Sequence, residues 1–355
     1  MTAELQRDPV TLPAATVDGE GLPAAPSAAP PVASRWRPVR LAAYAAYGVL
    51  WVWILIADGV PTDRLQIALL IVAGLAITRI GQGWGALGRV VLDWLPFTVV
   101  LMAYDRTRGV ADALGLPVHV RDVAHAERWA FGWAFDGVEP TVWLQRHLYD
   151  PAAVHWYDVA CTLVYSSHFL VTPLLAAALW LSRRELWLAF ITRVVLLSAA
   201  GLVTYCLFPQ APPWYAAREG FTDPVERISA RGWIRLHLGD VQSTLESAQR
   251  DGSNPVAAMP SLHTAFAVLV AITAITVLRS RWRWLALLYP VAMGFTLVYT
   301  GEHYVLDLVA GAVYALLVHL AVSRWEARRE ARRTARREAP DSADVAVEKD
   351  PQPAG

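Results

Sequence analysis

The sequence predicts an all-α polytopic membrane protein, a bundle of about eight transmembrane helices. Three observations carry this. Of 355 residues, 55% are hydrophobic and only 17% charged, the balance of a membrane protein. Apolar runs near the ~20 residues that cross a hydrocarbon core recur along the chain. The short connections between them carry Arg at alternate ends, as expected when cationic loops stay in the cytoplasm.

Residues 1–34 are rich in Pro and Ala, with no apolar core behind a basic start. They read as a disordered cytoplasmic tail and not as a secretory signal. Residues 35–325 form the membrane domain, with spans expected at 41–59, 65–80, 87–104, 155–181, 186–208, 260–278, 284–300 and 303–322. The second is short, and the third carries Arg89 and Asp93. Arg35, Arg37 and Arg40 precede the first span, and Arg79 and Arg89 flank the turn after the second. Arg183 and Arg184 follow the fourth, Arg279, Arg281 and Arg283 the sixth, and an Arg-rich stretch the last. Both termini are therefore expected in the cytoplasm, with loops 60–64, 105–154, 209–259 and 301–302 outside.

In the first long loop, "HAERWAFGWAFDG" and "PTVWLQRHLY" suit amphipathic helices lying at the interface. Trp156, Trp180 and Trp187 read as interface anchors. Residues 326–355 begin as an Arg-rich helix and end in a disordered, polar cytoplasmic tail, a solvated anchor more than a nucleic-acid patch. The formal net charge of zero gives no sign of a nucleic-acid partner. No internal repeat supports an inverted-repeat transporter. Cys161 and Cys206 lie in apolar runs without metal or redox spacing and read as small core residues. The only lysine is Lys349, in the tail, which removes any lysine-based mechanism.

Chemistry concentrates where the chain enters two of the spans. In "AAMPSLHTAF", residues 257–266, Pro260 suits a helix start and Ser261 a cap, so His263 falls in a first helical turn. A helix N-terminus attracts anions, and the stretch looks prepared for a phosphate. In "YTGEHYVLDLVAG", residues 299–311, His303 and Asp307 are spaced to share one helical face. The carboxylate would accept a hydrogen bond from the imidazole, fixing its tautomer and leaving the other ring nitrogen as a nucleophile. Both spans run inward from the outer surface, so His263 and His303 are expected to face each other across one pocket. His168 and Tyr165 of "YSSHF", with Glu302 and Tyr304, are possible further lining, and a helix-packing role for the first two stands beside that reading. Buried ionisable groups are costly in lipid, which weighs against plain helix contacts. A metal reading would use His303, Asp307, His263 and Glu302, but the spacing matches no familiar zinc pattern. No metal and no cofactor is expected.

"PSLH" followed by "GEHYVLDLVAG" resembles the second and third signature motifs of the membrane-embedded type-2 phosphatidic acid phosphatase superfamily. The resemblance covers spans five to eight and implies a six-helix core and metal-independent phosphoryl transfer. By that resemblance His303 attacks phosphorus to form a phosphohistidine, Asp307 orients it, His263 protonates the leaving oxygen and Ser261 binds a phosphate oxygen. The departures matter as well. The hydrolases usually carry a Lys-x6-Arg-Pro first motif, which a chain with Lys349 alone lacks; they place Ser-Arg where Thr296-Leu297 stands and Gly where Leu262 stands. Two phosphate-binding cations are thus missing, and the pattern is similar to the inositol phosphorylceramide synthase branch, whose members move a phospho-headgroup between lipids.

"FPQAPPWYAARE", 208–219, occupies the place of the first motif. Of Arg218, Arg227, Arg231 and Arg235 in this loop, Arg218 is the first candidate to bind phosphate, because Pro212, Pro213 and Trp214 would hold its backbone near the rim. A lipid-headgroup contact is its alternative role. The expected activity is transfer from a phospholipid such as phosphatidylinositol to a lipid or polyprenol alcohol. One alternative is an outer-leaflet lipid phosphate or polyprenyl diphosphate phosphatase. A second is a non-enzymatic lipid-binding protein or transporter.

Overall fold

A computed structural model describes residues 35–57, 64–239, 241–243, 247 and 255–338. The tail expected at 1–34, residues 339–355 of the C-terminal tail and residues 58–63 lie outside these residues. Helices are the only regular elements among the described residues, apart from isolated bridges joining His119 to Gln210 and Gln210 to Ala257.

The helices are α1 (Arg37–Ala57), α2 (Arg64–Thr78), α3 (Trp84–Leu114), α4 (Arg121–Phe131), α5 (Pro140–Leu148), α6 (Trp156–Ser182) and α7 (Arg184–Leu207). After them come α8 (Pro213–Arg218), α9 (Gly232–Arg235), α10 (Leu262–Val277), α11 (Leu288–Tyr299) and α12 (Val305–Glu338). Each of the eight apolar stretches is helical over most of its described residues. By length and composition α6, α7 and the Val305–Arg336 part of α12 suffice to cross a membrane, while Gln66–Thr78 and α10 are shorter apolar helices. The protein is a multi-pass membrane protein.

α10 stands at the centre, packed against α6, α7, α11 and α12. α7 in turn carries α3, behind which α2 and α1 follow as an arm. Leu262, Ala265 and Leu269 of α10 meet Leu197 and Val194 of α7 and Ala315 of α12 in one buried cluster. Burying such side chains stabilises a helix pair through close packing rather than water exclusion, since lipid is as apolar as leucine.

Asp93 and Arg193, charges within the spans, are both paired. Asp93 of α3 accepts hydrogen bonds from Trp180 Nε1 at 2.9 Å and from both terminal nitrogens of Arg184. That pairing explains how the span at 87–104 tolerates a carboxylate. Arg193 of α7, 7% exposed, holds Glu326 by two bonds of 3.0 and 2.8 Å and Ser323 at 2.9 Å, tying α7 to the C-terminal half of α12.

The structure departs from the expected spans at two places. α3 runs to Leu114, well past 104, and the stretch at 284–300 begins as a 3-10 turn, Arg281–Leu287, before α11. There Arg281 and Arg283 lie over the Trp282 and Trp284 rings, arginine–indole pairs that favour an interfacial turn over a buried helix. The tryptophans divide as well. Trp156 is 73% exposed, as an anchor would be, but Trp187 is 1% exposed and packs against Trp94, and Trp180 is buried on Asp93. Those two are core residues, because the α3 arm covers the ends of α6 and α7. Cys161 is buried, and neither it nor Cys206 forms a disulfide.

Candidate active site

Asp307 reaches His303 through a helix cap. α12 begins at Val305, so His303 precedes the helix and does not share a helical face with Asp307. Tyr304 is the cap residue: its carbonyl accepts from Asp307 N, and its N–H donates to Asp307 Oδ2 at 2.9 Å. This is one half of a capping box, with the third helical residue reaching back. The same oxygen lies 3.3 Å from His303 Nδ1. The other carboxylate oxygen accepts from Gln210 Nε2 at 2.8 Å. Asp307 is fully buried, and these contacts pin the carboxylate so that it holds Nδ1–H and leaves His303 Nε2 as the free nitrogen.

His263 sits one residue into α10. Its helix is capped by Ser261, whose Oγ accepts from Thr264 N at 3.3 Å. The His263 and His303 rings lie 5.6 Å apart at 64°, edge to face. Tyr165 of α6 stacks on His263 at 5.2 Å, and His168 lies 4.2 Å from it. His263 Nε2 is buried with no hydrogen-bond partner among the described residues, a costly state for a ring nitrogen unless it works on something that enters.

Two backbone contacts lock these histidines together. Ser261 N donates to the Asp307 carbonyl at 3.0 Å. Gly311, one turn further along α12, leaves the room for it: a Cβ there would collide with the Ser261 carbonyl oxygen.

The structure thus brings together His303, Asp307, His263, His168, Tyr165 and Ser261. Ser261 is 0% exposed and occupied as the cap. Arg218 is not among them. It is exposed, pairs with Glu219 at 3.2 Å and lies over the Tyr215 ring, because α8 is a single turn whose last residue points outward. Arg227 lies on the Tyr165 side of the pocket instead. Its guanidinium binds Glu302 through two bonds of 2.9 Å, lies over Trp214, hydrogen-bonds Tyr165 and acts electrostatically on His263. Ser229 Oγ donates to Glu302 at 2.6 Å. Burial alone would raise the Glu302 carboxyl, but the Arg227 charge and these bonds hold it below the usual carboxylate range. Glu302 therefore orients Arg227, while Tyr304 packs away on Val123 and Ala124 of α4. Among the described residues no three His, Cys, Asp or Glu side chains converge to hold a metal ion.

Sequence reasoning ranked Arg227 behind Arg218, and it missed Gln210 and Glu127. The last, on α4, accepts backbone N–H bonds from Val305 and Leu306. Gln210 alone carried a local signal, since it lies in the stretch that replaces the first motif.

A sequence model described as the PAP2 superfamily matches residues 136–321. A phosphoinositol dihydroceramide synthase of Bacteroides thetaiotaomicron is 28% identical over 238 residues, which cover 64% of this chain and 75% of that protein. No solved structure matches the chain significantly.

Proposed function

We infer the function from one premise: the chain belongs to the PAP2 superfamily. It is a membrane enzyme, a lipid phosphotransferase or phosphatase. Within that class we assign it to phospho-headgroup transfer, from a phospholipid such as phosphatidylinositol to a lipid or polyprenol alcohol. The observation that carries the reading is a pair of facing histidines of which only His303 is backed by a carboxylate.

In the mechanism that this asymmetry supports, His303 Nε2 attacks the donor phosphorus and an N–P bond forms. The bond from phosphorus to the lipid oxygen breaks, and that oxygen takes its proton from His263. The acceptor hydroxyl then gives its proton to the now neutral His263, its oxygen attacks phosphorus, and His303 is released. Arg227, fixed by Glu302, stabilises charge on the equatorial phosphoryl oxygens, together with the N-terminus of α10. Tyr165 and His168 line the pocket. We place both termini in the cytoplasm and the histidines toward the outer face, with about eight spans around a six-helix core, in keeping with the Arg pattern of the connections.

The test uses purified protein in lipid with headgroup-labelled phosphatidylinositol, phosphatidic acid and, following the name of the relative, dihydroceramide as the first acceptor. A new labelled lipid that disappears in His303→Ala is the expected result. Free phosphate dependent on His303, with no transfer, would make the protein a phosphatase. Activity that survives His303→Gln would sink the phosphohistidine and favour a lipid-binding or transport role.

A further inference from the structure

The hydrogen-bond chain that ends on His303 continues behind Asp307. Val305 and Leu306, the first residues of α12, donate their N–H groups at 2.7 and 3.1 Å to the two oxygens of Glu127. Glu127 is 0% exposed. With Tyr304 N bound to Asp307 Oδ2 and Asp307 N bound to the Tyr304 carbonyl, every N–H of this turn is satisfied. Two of the four depend on one carboxylate borrowed from α4. That helix precedes residue 136, where the family match begins, so the brace comes from a part of the chain that the match does not cover.

We propose that Glu127 is a positioning residue for phosphoryl transfer: its ionised carboxylate fixes the first turn of α12 and, through that turn, the Asp307–His303 pair. The proposal rests on the phosphotransferase reading for what is positioned. A protonated Glu127 is a poorer brace, because the oxygen that carries the proton donates and gives up one of the two N–H bonds.

The charged and titratable groups that face Glu127 are Asp307 and Tyr304 at the head of α12, and Glu139 at the head of α5, which is paired with Arg128 of α4 itself. From α8, which also packs on α4, Arg218 turns out to Glu219. Burial pushes the Glu127 carboxyl up to about 7; the two N–H bonds work against this, and the Asp307 and Glu139 charges add to it. The folded chain thus holds a proton that an unfolded carboxyl, at its ordinary value of 4.5, has already released. Stability accordingly falls as pH rises between the two values. The bracing of the site improves over the same window. Activity and stability therefore move in opposite directions, which a carboxylate serving the fold alone does not produce.

The experiment compares wild type, Glu127→Gln and Glu127→Ala in nanodiscs across about pH 5 to 9, reading turnover and the hydrogen-exchange protection of residues 303–310. In the wild type kcat is expected to climb about tenfold through the neutral range as the thermal midpoint falls. Glu127→Gln is expected to flatten both trends, lower kcat about tenfold at pH 8 with KM within about twofold, and lose protection at Val305 and Leu306. Wild-type kcat, pH profile and protection in Glu127→Gln would overturn the proposal. If the wild type turns over no lipid, the phosphotransferase reading has failed, and protection alone decides the brace: unchanged in Glu127→Gln it is wrong, reduced it stands. Should Glu127→Ala fail to fold, the near-isosteric Gln variant carries both readouts.

Discussion

His303 owes its orientation to a single buried carboxylate that serves three donors at once, His303 Nδ1, Tyr304 N and Gln210 Nε2. Asp307→Asn keeps the size but puts a donor where acceptors are needed and reverses the preferred tautomer. We expect turnover to fall about 10²- to 10⁴-fold with a small change in KM, as when the orienting Asp of a catalytic triad is replaced, in a steady-state lipid assay. Gln210→Leu, which removes one of the three donors, is expected to cost less. Gly301 is constrained differently: its φ of +79° lies in the left-handed region, and a Cβ would come within 2.8 Å of the Glu226 carbonyl oxygen. Gly301→Ala is expected to destabilise by about 1–3 kcal/mol in a thermal-shift measurement. The cation of the site illustrates what a sequence withholds. Arg218 has the rigid prolines beside it, yet Arg227 is the arginine that Glu302, the chain neighbour of His303, captures from far along the sequence. Nothing local to Arg227 announces that partner. Arg227→Ala is expected to lower turnover more than Arg218→Ala.

At the level of elements, the histidine motifs were legible because both stand at the head of an apolar run, where Pro260 and Asp307 act as local start signals. The geometry of the second was not, since the spacing of His303 and Asp307 suits a helical face as well as a cap, and only the start of α12 distinguishes them. Apolar runs likewise marked the helices but not their ends: α3 continues past its apolar part, and α11 is cut short by Arg–Trp pairs. Trp187 looked like an anchor because an indole near a helix end can face lipid or protein, and the α3 arm that covers it is a tertiary fact. That arm gives a prediction. Removing Arg184 leaves Asp93, 11% exposed, with Trp180 as its remaining side-chain donor. Arg184→Ala is expected to lower stability by about 1–3 kcal/mol while leaving KM for the lipid donor unchanged, because Trp180, on which the pair sits, lies about three turns along α6 from His168.

Across the whole molecule, connections rich in Arg alternate with two long ones, 105–154 and 209–259, whose described residues meet each other and the end of α11. Gln145 of α5 exemplifies this, bonding both the Glu226 backbone and the Tyr299 carbonyl. An impermeant maleimide should therefore label Glu219→Cys on intact cells, and Arg332→Cys only after permeabilisation; the reverse pattern would invert the proposed topology. Turnover should also survive EDTA. A loss that Zn²⁺ or Mg²⁺ restored would replace the two-histidine mechanism with a metal-assisted one. The bond from Ser261 N to the Asp307 carbonyl has a consequence on this scale. It splices the mouths of two separate helices into one joint, so neither histidine can fray by itself. The Ser261 amide should exchange with solvent as slowly as the bundle interior, and gentle heating should abolish catalysis abruptly, together with the fold, rather than erode it beforehand.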